Sequence, residues 1–474
     1  MLSVVWLASF SAGAQTTGEN LAKYEALRTR LKDEFVRIGD APGKGQPAEE
    51  RNDQQGFIRW ADSTIRLGWY MGVLATEYEL YTHTDLYPGA GVGKSPIDTL
   101  DELFYALRAL ERLDEVADAS FPPPCTQTPA LNGFFLRDDT PADFFNEFPP
   151  LTYIRSDFVD PELTNKEMSQ DQVYHLLIGL ALVKRFIPAS AQANGKALRS
   201  WAVEQAERII QHVSKDAWVI MNPACDREVN RGPLALGFSG GTRLAIGFIT
   251  DGAFVPDTTD IQLEIWAAAA DQYYAPYIDI DNLHMGLAIA AVGNGWGDAT
   301  AENVATLAEK PDWPAYPLLH RALHGDDAGG WCNTGTAVNA RAKKQLDELP
   351  AGADVASPQP GGPASHGWTQ PHRYLRGTDK AYSGEDGSEG LRYPALDYML
   401  LHNLYAIATP ATWNGSSGPG IPECKITTTP EGGTGASASE DEGGCGCRVP
   451  AGSPTASAWW LAALALLFRS KRRR

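Results

Sequence analysis

In the stretch "DTLDELFYALRALERLDEV", apolar residues fall at positions 100, 103, 104, 107, 110, 113 and 116. Steps of three and four residues place them on one stripe of an α-helix and leave the opposite side to water. The stretch "LRSWAVEQAERIIQHV" repeats the pattern at 198, 201, 202, 206, 209, 210 and 213. Two other stretches, "IRLGWYMGVLATEYEL" and "VYHLLIGLALVKRFI", are apolar nearly all round, and "NLHMGLAIAAVG" and "YPALDYMLLHNLYAIA" resemble them. Helices of that kind need cover on every side. The likeness extends to detail, because Tyr70 stands near Gly72, His175 near Gly179, His284 near Gly286, and His402 beside Asn403. Alternation of fully apolar with one-sided helices predicts an inner ring enclosed by an outer one. The expected fold is therefore all-α, an α/α toroid of helical hairpins over residues 19–412, with an irregular multi-helix bundle as the alternative. The hairpins near 220–255 and 300–345 are faint, and few segments alternate as strands do. No fixed period of about 34 or 40 residues recurs, which speaks against a helical-repeat solenoid.

The pattern breaks at both ends and once inside the body. Residues 1–15, "MLSVVWLASFSAGAQ", carry an apolar run followed by Ala12, Gly13 and Ala14, the small-residue pattern of an export signal without its usual positive lead. A signal whose start lies further upstream is the expectation, and an apolar N-terminal strand the alternative. Residues 349–372 read as a linker or a long loop over one face of the fold. Residues 413–444 are rich in Gly, Ser, Thr and acid and read as a flexible stalk. Cys125, Cys225, Cys332 and Cys424 are far apart and outside metal-ligand spacing, so after export they would suit one or two disulfides of undefined pairing.

The final segment, residues 445–474, begins "CGCRVPAG" and ends "RSKRRR". Between them an apolar run from Ala458 to Phe468 would span about 17 Å as a helix, against a hydrocarbon core of about 30 Å. Such a run suits transient retention, with the arginines on the cytoplasmic side. Cysteine, spacer, apolar run and arginine cluster in that order resemble the MYXO-CTERM sorting tag of myxobacterial surface proteins. The resemblance implies cleavage near the cysteine by a sorting protease, export to the cell surface or outer membrane, and a lipid on the processed residue. That residue is Cys447 or Cys445, with Cys447 preferred because a basic residue follows it directly. An ordinary C-terminal membrane anchor is the alternative.

Charge alters the picture in one respect. The chain carries a formal −19, and its six last basic residues, Arg448, Arg469, Lys471, Arg472, Arg473 and Arg474, all follow Cys447, so the body is more acidic still. Such a body repels phosphate backbones, which excludes nucleic acid as an expected partner. No phosphate-cradling loop or dinucleotide fingerprint is present, and no cofactor is expected.

Acids at the expected starts of inner helices carry the candidate chemistry. Asp62 precedes "STIRLGWY", Asp171 lies in "SQDQVYH", and Asp279 and Asp281 precede "NLHMG". Paired carboxylates across a funnel can protonate a glycosidic oxygen and activate water, while single ones commonly cap helices. Asp171 and His175 are four residues apart and share a helix face, as an acid/base pair or a hydrogen-bonded structural pair. "SQDQ" resembles the S-R-D-Q helix opening of bacterial six-hairpin glycosidase-type proteins, with Gln170 standing where that pattern has arginine. The resemblance implies an extracellular polysaccharide as partner and a glycoside hydrolase or polysaccharide lyase as activity. The candidate catalytic residues are Asp171, His175, Asp62, Asp281 and His284, with Tyr174 as a further lyase base. Aromatic rings stack on sugars, which nominates Trp69, Tyr70, Trp296 and Trp368. Arg137 and Asp138, in "FFLRDDTPADFF", are polar candidates. A non-catalytic glycan-binding or envelope protein is the second reading. Two weaker motifs are Gly-x-Ser-x-Gly around Ser239, formally a nucleophile elbow, and His320 with His324, spaced to share a metal but without the zincin glutamate between them.

Overall fold

The computed structural model describes residues 17–60, 62–90, 94–121, 130–159, 166–216, 218–224, 234–252, 254, 289–293, 315–325, 335–348 and 391–410. Helices dominate: α1 (Thr17–Glu34), α2 (Ser63–Thr82), α3 (Pro96–Ser120), α4 (Gln170–Phe186), α5 (Leu198–Ser214), α6 (Leu234–Ile249), α7 (Ala315–His324), α8 (Gly335–Glu348) and α9 (Leu396–Ala408). Among the described residues, none is long and apolar enough to cross a membrane. The expected signal, the loop 349–372, the stalk and the tag with Cys445 and Cys447 lie outside the described residues.

Both helix types form as the apolar pattern dictates. On α5 all seven stripe positions, Leu198 to Val213, are buried. On α3, Leu103, Leu107, Leu110 and Leu113 are buried, and Leu100, Phe104 and Val116 pack at the margin of the same core. Pro96 sits in the first turn of α3, where its missing N–H costs no helical bond, and Asp98 complements the helix dipole. Helices α2, α4 and α9 are buried almost throughout.

The fully buried helices lie side by side. Gln172 reaches Asp62, Gly179 meets Gly68, and Gly72 faces Leu182. These partners advance together along both chains, so α2 and α4 are parallel. Gly72 also faces Leu400, and Thr76 receives a hydrogen bond from Asn403 Nδ2 at 3.1 Å, which sets α9 parallel to α2 on its other side. At Gly68 and Gly179 the two backbones touch. A Cβ on either would overlap a carbonyl of the other helix, so only glycine permits this approach.

A polar network ties α1 to this layer. Arg28 Nε donates to Glu77 Oε1 at 2.8 Å and Arg28 Nη2 to Glu102 Oε2 at 2.7 Å. Tyr24 donates to Glu77, and Tyr70 and Lys32 donate to Glu102, at 2.6 to 2.7 Å.

A small sheet crosses the start of α2. Its order is β3 (Tyr153–Arg155), β2 (Phe57–Arg59), β1 (Glu50–Asn52), β6 (Leu391–Arg392), with β2 and β3 parallel and the other pairs antiparallel. Register pairs Phe57 with Tyr153, Ile58 with Ile154 and Arg59 with Arg155. Side chains alternate across a sheet, so Ile58 and Ile154 turn to the main core while Phe57, Arg59, Tyr153 and Arg155 share the other face. A further two-stranded ribbon, β4 (Gln192–Ala193) with β5 (Lys196–Ala197), leads into α5.

Candidate functional site

The parallel packing brings the starts of α2 and α4 to one end of the layer, where the chain between α3 and α4 crosses them. Phe134, Phe135 and Leu136 are buried there. Leu136 bridges to Glu167, and the Arg137 N–H donates to the Lys166 carbonyl at 2.9 Å. With its neighbours anchored, the Arg137 side chain projects over the two helix starts. Its Nε donates to the Glu167 carbonyl at 2.9 Å, and its Nη1 lies 3.1 Å from Asp62 Oδ1 and 3.7 Å from Asp157 Oδ2. One guanidinium nitrogen thus faces two carboxylates. Gln172 Nε2 donates to the same Asp62 oxygen at 3.4 Å, and the Asp62 N–H donates to Glu49 Oε2 at 3.3 Å. Arg59 approaches Glu49 at 3.6 Å and Glu50 at 3.1 Å.

Asp62 makes no capping bond to its own helix, and its carboxylate receives both Arg137 and Gln172. Asp157 differs. Burial lifts its carboxyl above the ordinary range, Arg137 offsets part of that, and repulsion from Asp62 and Glu49 adds to it. Arg137 and Asp157 keep about a quarter of their side chains exposed (25% and 23%), whereas Asp62 keeps 8%.

Asp171 and His175 share a face but form no carboxylate–imidazole pair. The Asp171 carboxylate accepts from Ser169 Oγ and, at 3.1 Å, from the Gln172 N–H, as acids do in a first helical turn. Gln172 Oε1 in turn accepts from the Ser169 N–H at 3.0 Å. His175 Nδ1 donates to the Asp171 carbonyl at 2.6 Å, and its buried ring stands edge-on to Trp69 at 5.4 Å. Of the two expected readings, an acid/base pair or a hydrogen-bonded structural pair, the geometry fits the second, at a helix start with a buried ring.

Trp69 and Tyr70 are likewise core residues rather than sugar platforms. Trp69 packs between His175 and Arg66, whose guanidinium lies 5.0 Å from the ring, and Tyr70 belongs to the Glu102 network. Neither offers an exposed ring face. Tyr174 is buried too. Asp138 is buried and stitches two loop segments, accepting from Ser156 Oγ, from the Thr140 N–H at 3.1 Å and from the Asp157 N–H at 3.0 Å. Burial lifts its carboxyl to about 7. Asp281, His284, Trp296 and Trp368 lie outside the described residues.

About two turns deeper along the same layer, Asp397 opens α9. Its carboxyl is lifted by burial to about 7, with Arg66 pulling the other way. Ala395 ahead of it is held at φ 57°, a left-handed conformation that costs a residue with a Cβ about 1 kcal/mol. Neither Asp397 nor Asp157 stood out in the sequence. Asp157 follows Ser156 in what reads as an ordinary turn, and Asp397 sits inside an apolar helix.

The weaker motifs resolve more simply. Ser239 falls in the middle of α6, so no strand-to-helix elbow presents it. His320 Nδ1 contacts the Ala291 carbonyl at 2.7 Å and His324 Nε2 the Val292 carbonyl at 2.9 Å. Each ring thus has a ring nitrogen on a main-chain acceptor, and no cluster able to hold a metal occurs among the described residues.

No family model, curated protein or solved structure matches this chain.

Proposed function

We propose that the chain is a carbohydrate-active enzyme displayed on the cell surface, a glycoside hydrolase built as an α/α toroid whose working end is where α2 and α4 begin. The observation that carries this reading is the pair of carboxylates, Asp62 and Asp157, set on one nitrogen of Arg137 at a partly exposed helix end. Glycoside hydrolysis needs two carboxyl groups with separated roles. Asp157, whose carboxyl titrates high, protonates the leaving oxygen. Asp62 acts as the carboxylate that activates water or attacks the sugar, and Arg137 and Gln172 fix its orientation. Hydrolysis suits these residues better than lyase chemistry, since His175 is buried with its Nδ1 occupied. The parallel trio α9, α2 and α4 supports the toroid, because inner helices of a ring run in one direction and bring their starts to one mouth.

Delivery to the surface rests on the C-terminal cysteine, apolar and arginine segments, processed at Cys447 by a sorting protease after export. The test of activity is a reducing-end release screen on a polysaccharide panel. Asp157→Asn and Asp62→Asn should each lower kcat by about 10² to 10⁴. Glycan binding without turnover on any substrate would replace the enzyme with a binding protein, the role favoured if Arg137 holds both acids permanently.

A further inference from the structure

On the outward face of the sheet, Tyr153 and Arg155 stand two residues apart on the edge strand β3, so their side chains leave the same side. Tyr153 is 39% exposed, which is unusual for a ring among the described residues, and it rests at 38° against Phe57, centroids 5.7 Å apart. Arg155 is exposed, and its guanidinium lies 4.0 Å from the centroid of the same Phe57 ring. One buried aromatic therefore positions both groups. The neighbouring cation on this face, Arg59, is engaged by Glu49 and Glu50. Arg155 makes no ion pair with any described residue. A fixed guanidinium without a carboxylate is out of keeping with a chain of net charge −19. Two residues further along the same strand direction comes Asp157.

We propose that Tyr153 and Arg155 form a subsite for an anionic sugar, the Tyr153 ring stacking on the pyranose and the Arg155 fork receiving its carboxylate or sulfate, so that the polysaccharide acted on is acidic. The planar guanidinium matches either anion with two parallel hydrogen bonds. Its seat on Phe57 reduces the ordering cost of binding. The assignment rests on the proposed carbohydrate activity for its purpose, but the binding it describes stands separately.

The test measures binding of the full chain to polygalacturonate, dextran sulfate and neutral dextran, with wild type, Arg155→Gln, Arg155→Lys and Tyr153→Ala. Wild type should bind at least one of the two anionic chains, more weakly as salt rises, and dextran poorly. Arg155→Gln should raise the Kd for that chain about 10- to 100-fold with unchanged thermal unfolding, Arg155→Lys less, and Tyr153→Ala should also weaken it. Preference for polygalacturonate identifies a carboxylate, and preference for dextran sulfate a sulfate. Equal affinity of Arg155→Gln and wild type, or no binding to either anionic chain, overturns the subsite. Binding that depends on Arg155 while reducing ends are released from no polysaccharide would keep the subsite and sink the hydrolase. Turnover abolished by Asp157→Asn but indifferent to Arg155→Gln would do the reverse.

Discussion

Arg28 and Arg137 each stand between two carboxylates, and these two clusters behave oppositely. Arg28 lies between Glu77 and Glu102 with the three side chains 9%, 1% and 8% exposed. Arg137 lies between Asp62 and Asp157 at the edge of solvent. Burial alone would raise the Glu102 carboxyl, yet Arg28, Lys32 and Tyr70 outweigh it and hold the group below its ordinary range. Asp157 is also partly buried, and there burial, with Asp62 and Glu49 adding to it, outweighs Arg137 and Arg59, so it ends above the ordinary range. The same residue types thus make a rivet in one place and, in the other, a carboxyl that keeps its proton to higher pH. The number of donors around each carboxylate decides which.

The sharpest way to break this comparison is to remove both arginines in turn. Arg28→Met should destabilise the fold by about 3–5 kcal/mol in urea unfolding, because it strands buried carboxylates. Arg137→Met should cost less, about 1–2 kcal/mol, because Asp157 can turn to water and the buried Asp62 keeps the Gln172 amide. Similar losses for both would erase the distinction. Gly68→Ala, which forces the α2 and α4 backbones apart, should cost about 3 kcal/mol and should loosen the Asp62–Gln172 contact that spans the same two helices. Tyr70→Phe, which removes one donor from Glu102, should cost about 1–2 kcal/mol.

A smaller effect separates the clusters by pH. Glu102, lowered in the folded state, stabilises the fold above its ordinary pKa of 4.5, and that contribution fades as pH falls through the folded value. Asp157, raised, does the opposite: its contribution is complete below the ordinary 3.8 and is lost as pH rises through the folded value. Asp397 behaves like Asp157 over the window from about 3.8 to about 7. Stability measured from about pH 2 to pH 8 should therefore lose acid sensitivity below pH 4.5 in Glu102→Gln, and should fall less steeply with rising pH above 3.8 in Asp397→Asn. Unchanged slopes in both variants would contradict these assignments.

Much of the helical layer was legible because burial is written in apolar spacing. The stripes of α3 and α5 and the all-round apolar α2, α4 and α9 follow from position alone, and Ser169 and Asp171 mark where α4 starts. The sheet was not legible. Its strands are two or three residues long, too short to show alternation, and they come from the fifties, the one-fifties and the three-nineties. The candidate site was half legible: Asp62 and Arg137 were nominated separately, but nothing local says that residues 75 positions apart meet. Of the two readings of Asp171 and His175, the geometry fits the hydrogen-bonded structural one, for a local reason. A histidine one turn into a helix can reach the main-chain carbonyl four residues back, and here that bond leaves the carboxylate to the Ser169 hydroxyl and the Gln172 N–H.

The glycine contact between α2 and α4 has a mechanical consequence for whatever binds at their starts. Where two backbones touch, no side chain can repack to let one helix slide or tilt against the other. The spacing of Asp62 from Gln172, less than two turns above Gly68, is then a fixed gauge. Adjustment to a bound molecule falls to the segment around residues 137–157, which is joined to the helices by side chains and single hydrogen bonds. Variants that change which molecule is accepted should therefore be sought in that segment, and not in the helices that carry it.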